Sequence, residues 1–227
     1  MEPGPHDPTI LGLVNFLAVL VLSVAFHEMA HAWLADRFGD PTPRDNGRMT
    51  LNPIAHVHPI FTVALPAVFW WGTGGLLFMG LTPVNPRLMR RPRLHGMLTA
   101  LGGPVASLIA ALAFLLLLGG FRALAGDLDS EGERRMLGVL RLGAMLNLVG
   151  VAFNLIPVPP LDGSHVLEFF LPRWAMPAWR TLERNAWMVI LVLMFSGLLD
   201  IVMDPAVDAS VVVVGVVEAF GRGLSRG

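Results

Sequence analysis

Long runs of apolar residues leave this chain few ways to fold. Those around residues 10–38, 94–121, 136–153 and 186–203 approach or exceed the length a helix needs to span a hydrocarbon core roughly 30 Å thick. Apolar residues make up 54% of the 227 positions and charged residues only 15%, too few to coat a soluble domain of this length. A soluble helical protein with an oversized core is the alternative, and it would leave much of that surface bare. The expected fold is therefore an all-α polytopic membrane protein. We expect a bundle of about four to six transmembrane helices, with a re-entrant loop or short strands after the first helix. Residues 1–227 read as one membrane-embedded domain, with a core over 10–170 and C-terminal helical segments over 172–220.

The first helix is expected from Ile10 to Phe38, capped by Asp7 or Thr9 and ended by Gly39 and Pro41. Residues 39–59 are turn-rich and lack helical periodicity. Residues 60–81 are apolar but hold Pro66, Gly72, Gly74 and Gly75, which favours a broken, re-entrant hairpin over two cramped crossings. A valine-rich segment over 207–220 follows the helix expected at 186–203. Arg173, Trp174, Trp179, Arg180, Arg184 and Trp187 form the mix expected of an interfacial segment, and most of the tryptophans read as interface anchors.

Net charge is close to zero, which argues against a nucleic-acid partner. With no cysteine, any metal site must be built from His, Asp and Glu. Loop charge places the arginines of residues 85–93 and 173–184, and the tail with Arg222 and Arg226, on the cytoplasmic side. Residues 122–133 and 200–208 are more acidic and are expected outside. The protein is thus expected in the cell membrane, crossing it several times.

The chemistry concentrates in His27-Glu28-Met29-Ala30-His31. Positions four apart share a helix face, so both imidazoles can reach one metal ion. Glu28 stands beside them, where it can take a proton from a water that the metal activates. At about 1.5 Å per residue, His27 lies roughly 26 Å along the helix from Ile10, inside the bilayer near its cytoplasmic edge. Ionisable groups at that depth are costly and point to function, although two interfacial histidines with a snorkelling glutamate would look similar. Zinc usually takes a third protein ligand. The extended motif of soluble metzincins is absent, because Leu34 and Arg37 fill its glycine and third-histidine places. Asp162 is the leading choice: Pro157, Pro159 and Pro160 break a helix there and Gly163 lets the chain turn. An ordinary turn aspartate remains the alternative.

His27-Glu28-Met29-Ala30-His31, joined with the stretch from Asn154 through Asp162-Gly163, resembles the paired signature of the site-2 proteases, intramembrane zinc metalloproteases. Gly47-Arg48-Met49-Thr50-Leu51-Asn52-Pro53 with Ala55-His56, and Pro83-Val84-Asn85-Pro86, resemble the short members that lack a PDZ or CBS domain. The likeness covers most of residues 20–170. It implies His27, His31 and Asp162 as Zn2+ ligands, Glu28 as catalytic base, and Asn154 as a polar group facing the substrate or the developing oxyanion. It further implies hydrolysis of peptide bonds in or near transmembrane segments, with a membrane-protein substrate that carries a transmembrane helix and the lipid bilayer as partners.

The chain departs from that pattern at three places. His58 stands where short members often carry Asp, Gly102-Gly103-Pro104 replaces Ala-Gly-Pro, and Ser107 replaces a frequent Asn. His56 and His58 read either as an accessory metal site or as polar loop residues. His165 reads either as a hydrogen-bonding neighbour of the metal ligands or as an interfacial histidine. A metal carrier using the same ligands would need a polar path, and the other helices offer few ionisable residues to line one. A non-catalytic relative that binds membrane helices without cutting them is the second alternative, against which an intact Glu28 argues.

Overall fold

The computed structural model describes residues 9–73, 80, 82–125 and 130–225. Helix α1 (Ile10–Phe38) begins where Thr9 Oγ1 accepts a hydrogen bond from the Gly12 amide at 3.0 Å. It ends at Gly39, whose φ of 109° lies in the left-handed region that glycine adopts without strain. Asp7, the other expected cap, lies outside the described residues. After the four-residue α2 (Thr42–Asp45), residues 46–58 form irregular turns around a short 3-10 helix at Pro53–Ala55, and among the described residues there is no strand. A π-helical turn over Pro59–Ala64 leads into α3 (Leu65–Thr73). The far half of the expected hairpin, with Gly74 and Gly75, lies outside the described residues.

Helices α4 (Pro92–Ala125) and α5 (Glu131–Asn154) complete the central unit with α1. Proline at the first position starts α4, and a capping box between Ser130 and Glu133 starts α5. These three helices are long and apolar enough to cross a membrane. Small residues let them approach closely: a Cβ on Gly102 would meet Leu34 at 2.4 Å, and one on Gly143 would meet Phe114 at 2.5 Å. Phe16, Leu20 and Val24 of α1 pack with Leu142 and Leu146 of α5 and with Trp70. Trp70 is therefore a core residue and not the interface anchor expected: it stacks on Phe16 with ring centroids 5.5 Å apart.

Beyond α5 the chain forms α6 (Asp162–Phe170), α7 (Met176–Arg184), α8 (Ala186–Phe195) and α9 (Leu198–Leu224). Two expectations fail here. The helix expected over 186–203 stops at Phe195, because Gly197 turns the chain at a φ of 73°. The ten residues of α8 span only about 15 Å, half a bilayer. The valine-rich segment is then the second half of one long helix, α9. Leu199 and Met203 pack with Val149, Phe153 and Leu161, beside Asp162, whereas Val214 packs with Leu115, Leu118, Leu137 and Leu140. Helix α9 thus runs antiparallel to α5. Its acidic start lies at the Asp162 end of the bundle and Arg222 at the other, the reverse of the order inferred from loop charge; Arg226 lies outside the described residues. Loop charge could not reveal this order, because the short α8 and Gly197 reverse the chain. Arg141 of α5 holds Glu218 of α9 in a two-pronged ion pair, 2.6 Å at Nη2–Oε2, with the Glu218 carboxylate buried.

Candidate active site

His27 and His31 lie one turn apart on the inner face of α1, both buried. Helix α4 crosses that face with Thr99, Gly103 and Ser107, each one turn from the next. The His31 Nδ1–H donates to the Thr99 carbonyl at 2.7 Å, and His27 Nδ1 bonds Ser107 Oγ at 2.9 Å. The His31 bond fixes its proton on Nδ1 and leaves the Nε2 lone pair facing inward; a Nδ1–H on His27 would do the same there. Ser107, a departure at sequence level, thus meets a histidine directly. Between them Gly103 leaves the space open. A Cβ there would stand 2.2 Å from His31 Nε2 and 2.4 Å from His27 Nε2.

Asp162 arrives from the opposite side. Prolines end α5, and the chain folds so tightly that a Cβ on Gly163 would meet the Leu155 carbonyl oxygen at 2.2 Å. This turn puts Asp162 at the first position of α6, with Oδ2 3.2 Å from His27 Nε2 and Oδ1 3.3 Å from His31 Nε2. The two imidazole nitrogens are 3.1 Å apart.

These distances fit a metal ion. Ligands about 2.0–2.1 Å from a tetrahedral zinc stand about 3.3–3.4 Å from one another, close to the 3.1 Å between the imidazole nitrogens and to the 3.2 and 3.3 Å at which the two Asp162 oxygens each meet one imidazole. Two inward lone pairs 3.1 Å apart also repel unless a cation lies between them. A nitrogen, nitrogen and oxygen donor set suits zinc.

Glu28 is buried, with its carboxylate within 4.8 Å of both imidazole donors. Residue 80 presses on it: a Cβ on Gly80 would stand 2.1 Å from Glu28 Oε1. The segment that follows is tied to the end of α1. Asp40, fully buried, accepts the Asn85 amide at 2.6 Å and the Thr42 amide at 3.0 Å, and the Arg90 amide donates to the Phe38 carbonyl at 3.0 Å. Glu28, His31 and Asp162 line a cavity of about 400 Å3 whose mouth carries Arg87, Arg93, His165, Glu168 and Arg180.

His165 lines this cavity and sits 3.7 Å from Glu168. Asn154 is buried at the end of α5, with its amide nitrogen donating to the Gly150 carbonyl at 3.0 Å, and it is not among the cavity-lining residues. His56 is buried elsewhere, donating to the Thr50 carbonyl at 2.7 Å, and His58 Nδ1 accepts the Ile60 amide at 3.3 Å. Sequence reasoning missed Thr99 and Asp40. Thr99 acts through a backbone carbonyl, which no side-chain motif reveals. The four-residue spacing of Thr99, Gly103 and Ser107 was the available signal.

Residues 15–197 match the family model described as peptidase family M50. Curated relatives carry the name "Putative zinc metalloprotease". YwhC of Bacillus subtilis is 35% identical over 88% of this chain and 89% of its own length. Rip2 of Mycobacterium tuberculosis (strain H37Rv) is 32% identical over 82% of this chain and 69% of its own. No solved structure matches.

Proposed function

The chain belongs to peptidase family M50, the site-2 family of zinc metalloproteases, and on that premise we propose that it cuts membrane proteins in or near their transmembrane segments. The observation that carries this reading is one cluster at the end of three apolar helices. It places His27, His31 and Asp162 donor atoms 3.1–3.3 Å apart, with Glu28 beside them.

In this reading His27, His31 and Asp162 hold the zinc. When bound, zinc supplies a Lewis acid that polarises the attacking water and the scissile carbonyl. Glu28 takes the proton from that water as its oxygen bonds to the carbonyl carbon. It then delivers the proton to the leaving amine as the C–N bond breaks. Thr99 and Ser107 orient the imidazoles, and Gly80 lies close against the Glu28 carboxylate. Asn154 commits one amide hydrogen to Gly150 and lies outside the cavity lining, so its proposed contact with a substrate oxygen requires the substrate to reach beyond the cavity. A substrate helix hides its amides in its own hydrogen bonds, so it unwinds before entering the cavity. The irregular stretch 40–60 is the surface on which we place that extended segment, by strand addition.

The finer topology belongs to the same proposal. One membrane-embedded domain faces its cavity to the cytoplasm, and α9 joins the three spanning helices as a fourth. The plasma membrane is the proposed location. The test compares protein amino termini in membranes from cells carrying wild-type or Glu28→Gln protein. New termini near transmembrane segments, absent with Glu28→Gln, are expected. Identical maps with both proteins folded and zinc-loaded would overturn the reading.

A further inference from the structure

Helix α6 carries Asp162 in its first turn, and its other end is held by a residue that the chemistry does not use. Arg93, at the start of α4, directs a single Nη2 at the last carbonyls of α6, lying 3.2 Å from Glu168 O, 3.1 Å from Phe169 O and 2.7 Å from Leu171 O. The final carbonyls of a helix have no intrahelical partner and carry the negative end of its dipole, so a guanidinium there satisfies both needs. Arg180 of α7 braces the same turn through Glu168 Oε1 at 2.7 Å. At the opposite end α6 has no side-chain cap, because the Asp162 carboxylate points to the imidazoles.

We infer that Arg93 is a positioning residue for the metal site, fixing the rotation of α6 and with it the carboxylate of Asp162; this rests on the proposal that Asp162 is a ligand. The lever is short. A rotation of α6 by ~10° about its axis moves a side-chain atom ~5 Å from that axis by ~0.9 Å, whereas metal–ligand distances hold to within ~0.2 Å. Residues that orient metal ligands from outside typically change affinity by ~10–100-fold when removed.

The experiment titrates purified protein in detergent with zinc against a competing chromophoric chelator. Arg93→Ala is expected to weaken zinc about tenfold. Arg93→Lys, which keeps a cation facing the carbonyls, is expected to stay within about threefold of wild type. Arg173→Ala, an exposed arginine of the same region outside the cavity, is expected to change nothing. In an Asp162→Ala background, Arg93→Ala should have no further effect, since the ligand it positions is gone. Wild-type affinity in Arg93→Ala, an equal loss in Arg173→Ala, or additivity with Asp162→Ala would each overturn the inference. If the alanine variant does not fold, Arg93→Gln decides, with wild-type affinity counting against it. Should Asp162→Ala itself leave zinc affinity intact, the assignment of Asp162 as a ligand fails instead.

Discussion

Replacing Gly103 by alanine should abolish metal binding while leaving the helix intact. The added methyl would lie 2.2 Å from His31 Nε2 and 2.4 Å from His27 Nε2, near the ~2.0–2.1 Å that zinc keeps from imidazole nitrogen. The methyl and the ion therefore claim the same place. Restoring an ordinary contact of about 3.4 Å or more requires each ring to retreat by about 1 Å, against a tolerance of ~0.2 Å for the metal bonds. Neither ring is free to do so, since their other nitrogens are bonded to Thr99 and Ser107. A loss of at least ~1000-fold in zinc affinity, about 4 kcal/mol, is expected. Zinc content and chelator competition measure it on purified protein in detergent. Gly120→Ala, on the same helix with nothing within 4 Å of its new methyl, is the control and should bind zinc as wild type does. A Gly103→Ala protein with one zinc per chain at wild-type affinity would refute the placement of the ion between these nitrogens.

Glu28→Gln should keep wild-type zinc affinity while turnover falls ~10²–10⁴-fold, measured on a substrate identified by terminus mapping. Removing either partner of the Arg141–Glu218 pair should destabilise the fold by about 3 kcal/mol, near the low end of the range for buried pairs because the Arg141 side chain is 23% exposed. Thermal unfolding in detergent tests this, and the double change Arg141→Met with Glu218→Leu should recover most of the loss. The Glu168 carboxyl is held below its ordinary value by the His165 imidazole beside it and, against partial burial, by the Arg180 and Arg93 charges. A depressed pKa adds stability above the unfolded value near 4.5 that is lost as pH falls through the lower folded one. The junction of α6 and α7, followed by the fluorescence of buried Trp179, should hold steady from pH 8 to 5 and loosen only in stronger acid. Loosening already near neutrality would show that the Glu168 contact does not govern it.

How far the sequence could be read depended on whether a feature was local. Helix α1 was legible to both ends, because Thr9 and Gly39 are caps whose chemistry acts within one turn. His27, Glu28 and His31 were legible because helical spacing fixes their common face. Asp162 was legible through the prolines before it and the glycine after it. The reversal of α8 and α9 was not, since one glycine in an apolar run carries little pattern and the reversal is confirmed only by packing on α5. Nor was the burial of Trp70, whose partner Phe16 lies far away along the chain. Asp40 and Arg93 act on backbone groups, and a backbone group looks the same under every side chain.

The donor set has a consequence for biogenesis. His27 and Asp162 are separated by 135 residues. At a synthesis rate of ~5–20 residues per second, roughly 7–27 s pass between their emergence from the ribosome. Helix α4 supplies Thr99 and Ser107 to the imidazoles within that interval, but the Asp162 carboxylate reaches them only at its end. In the proposed reading, with Asp162 as a ligand, a nascent chain cannot assemble the full site until α6 docks.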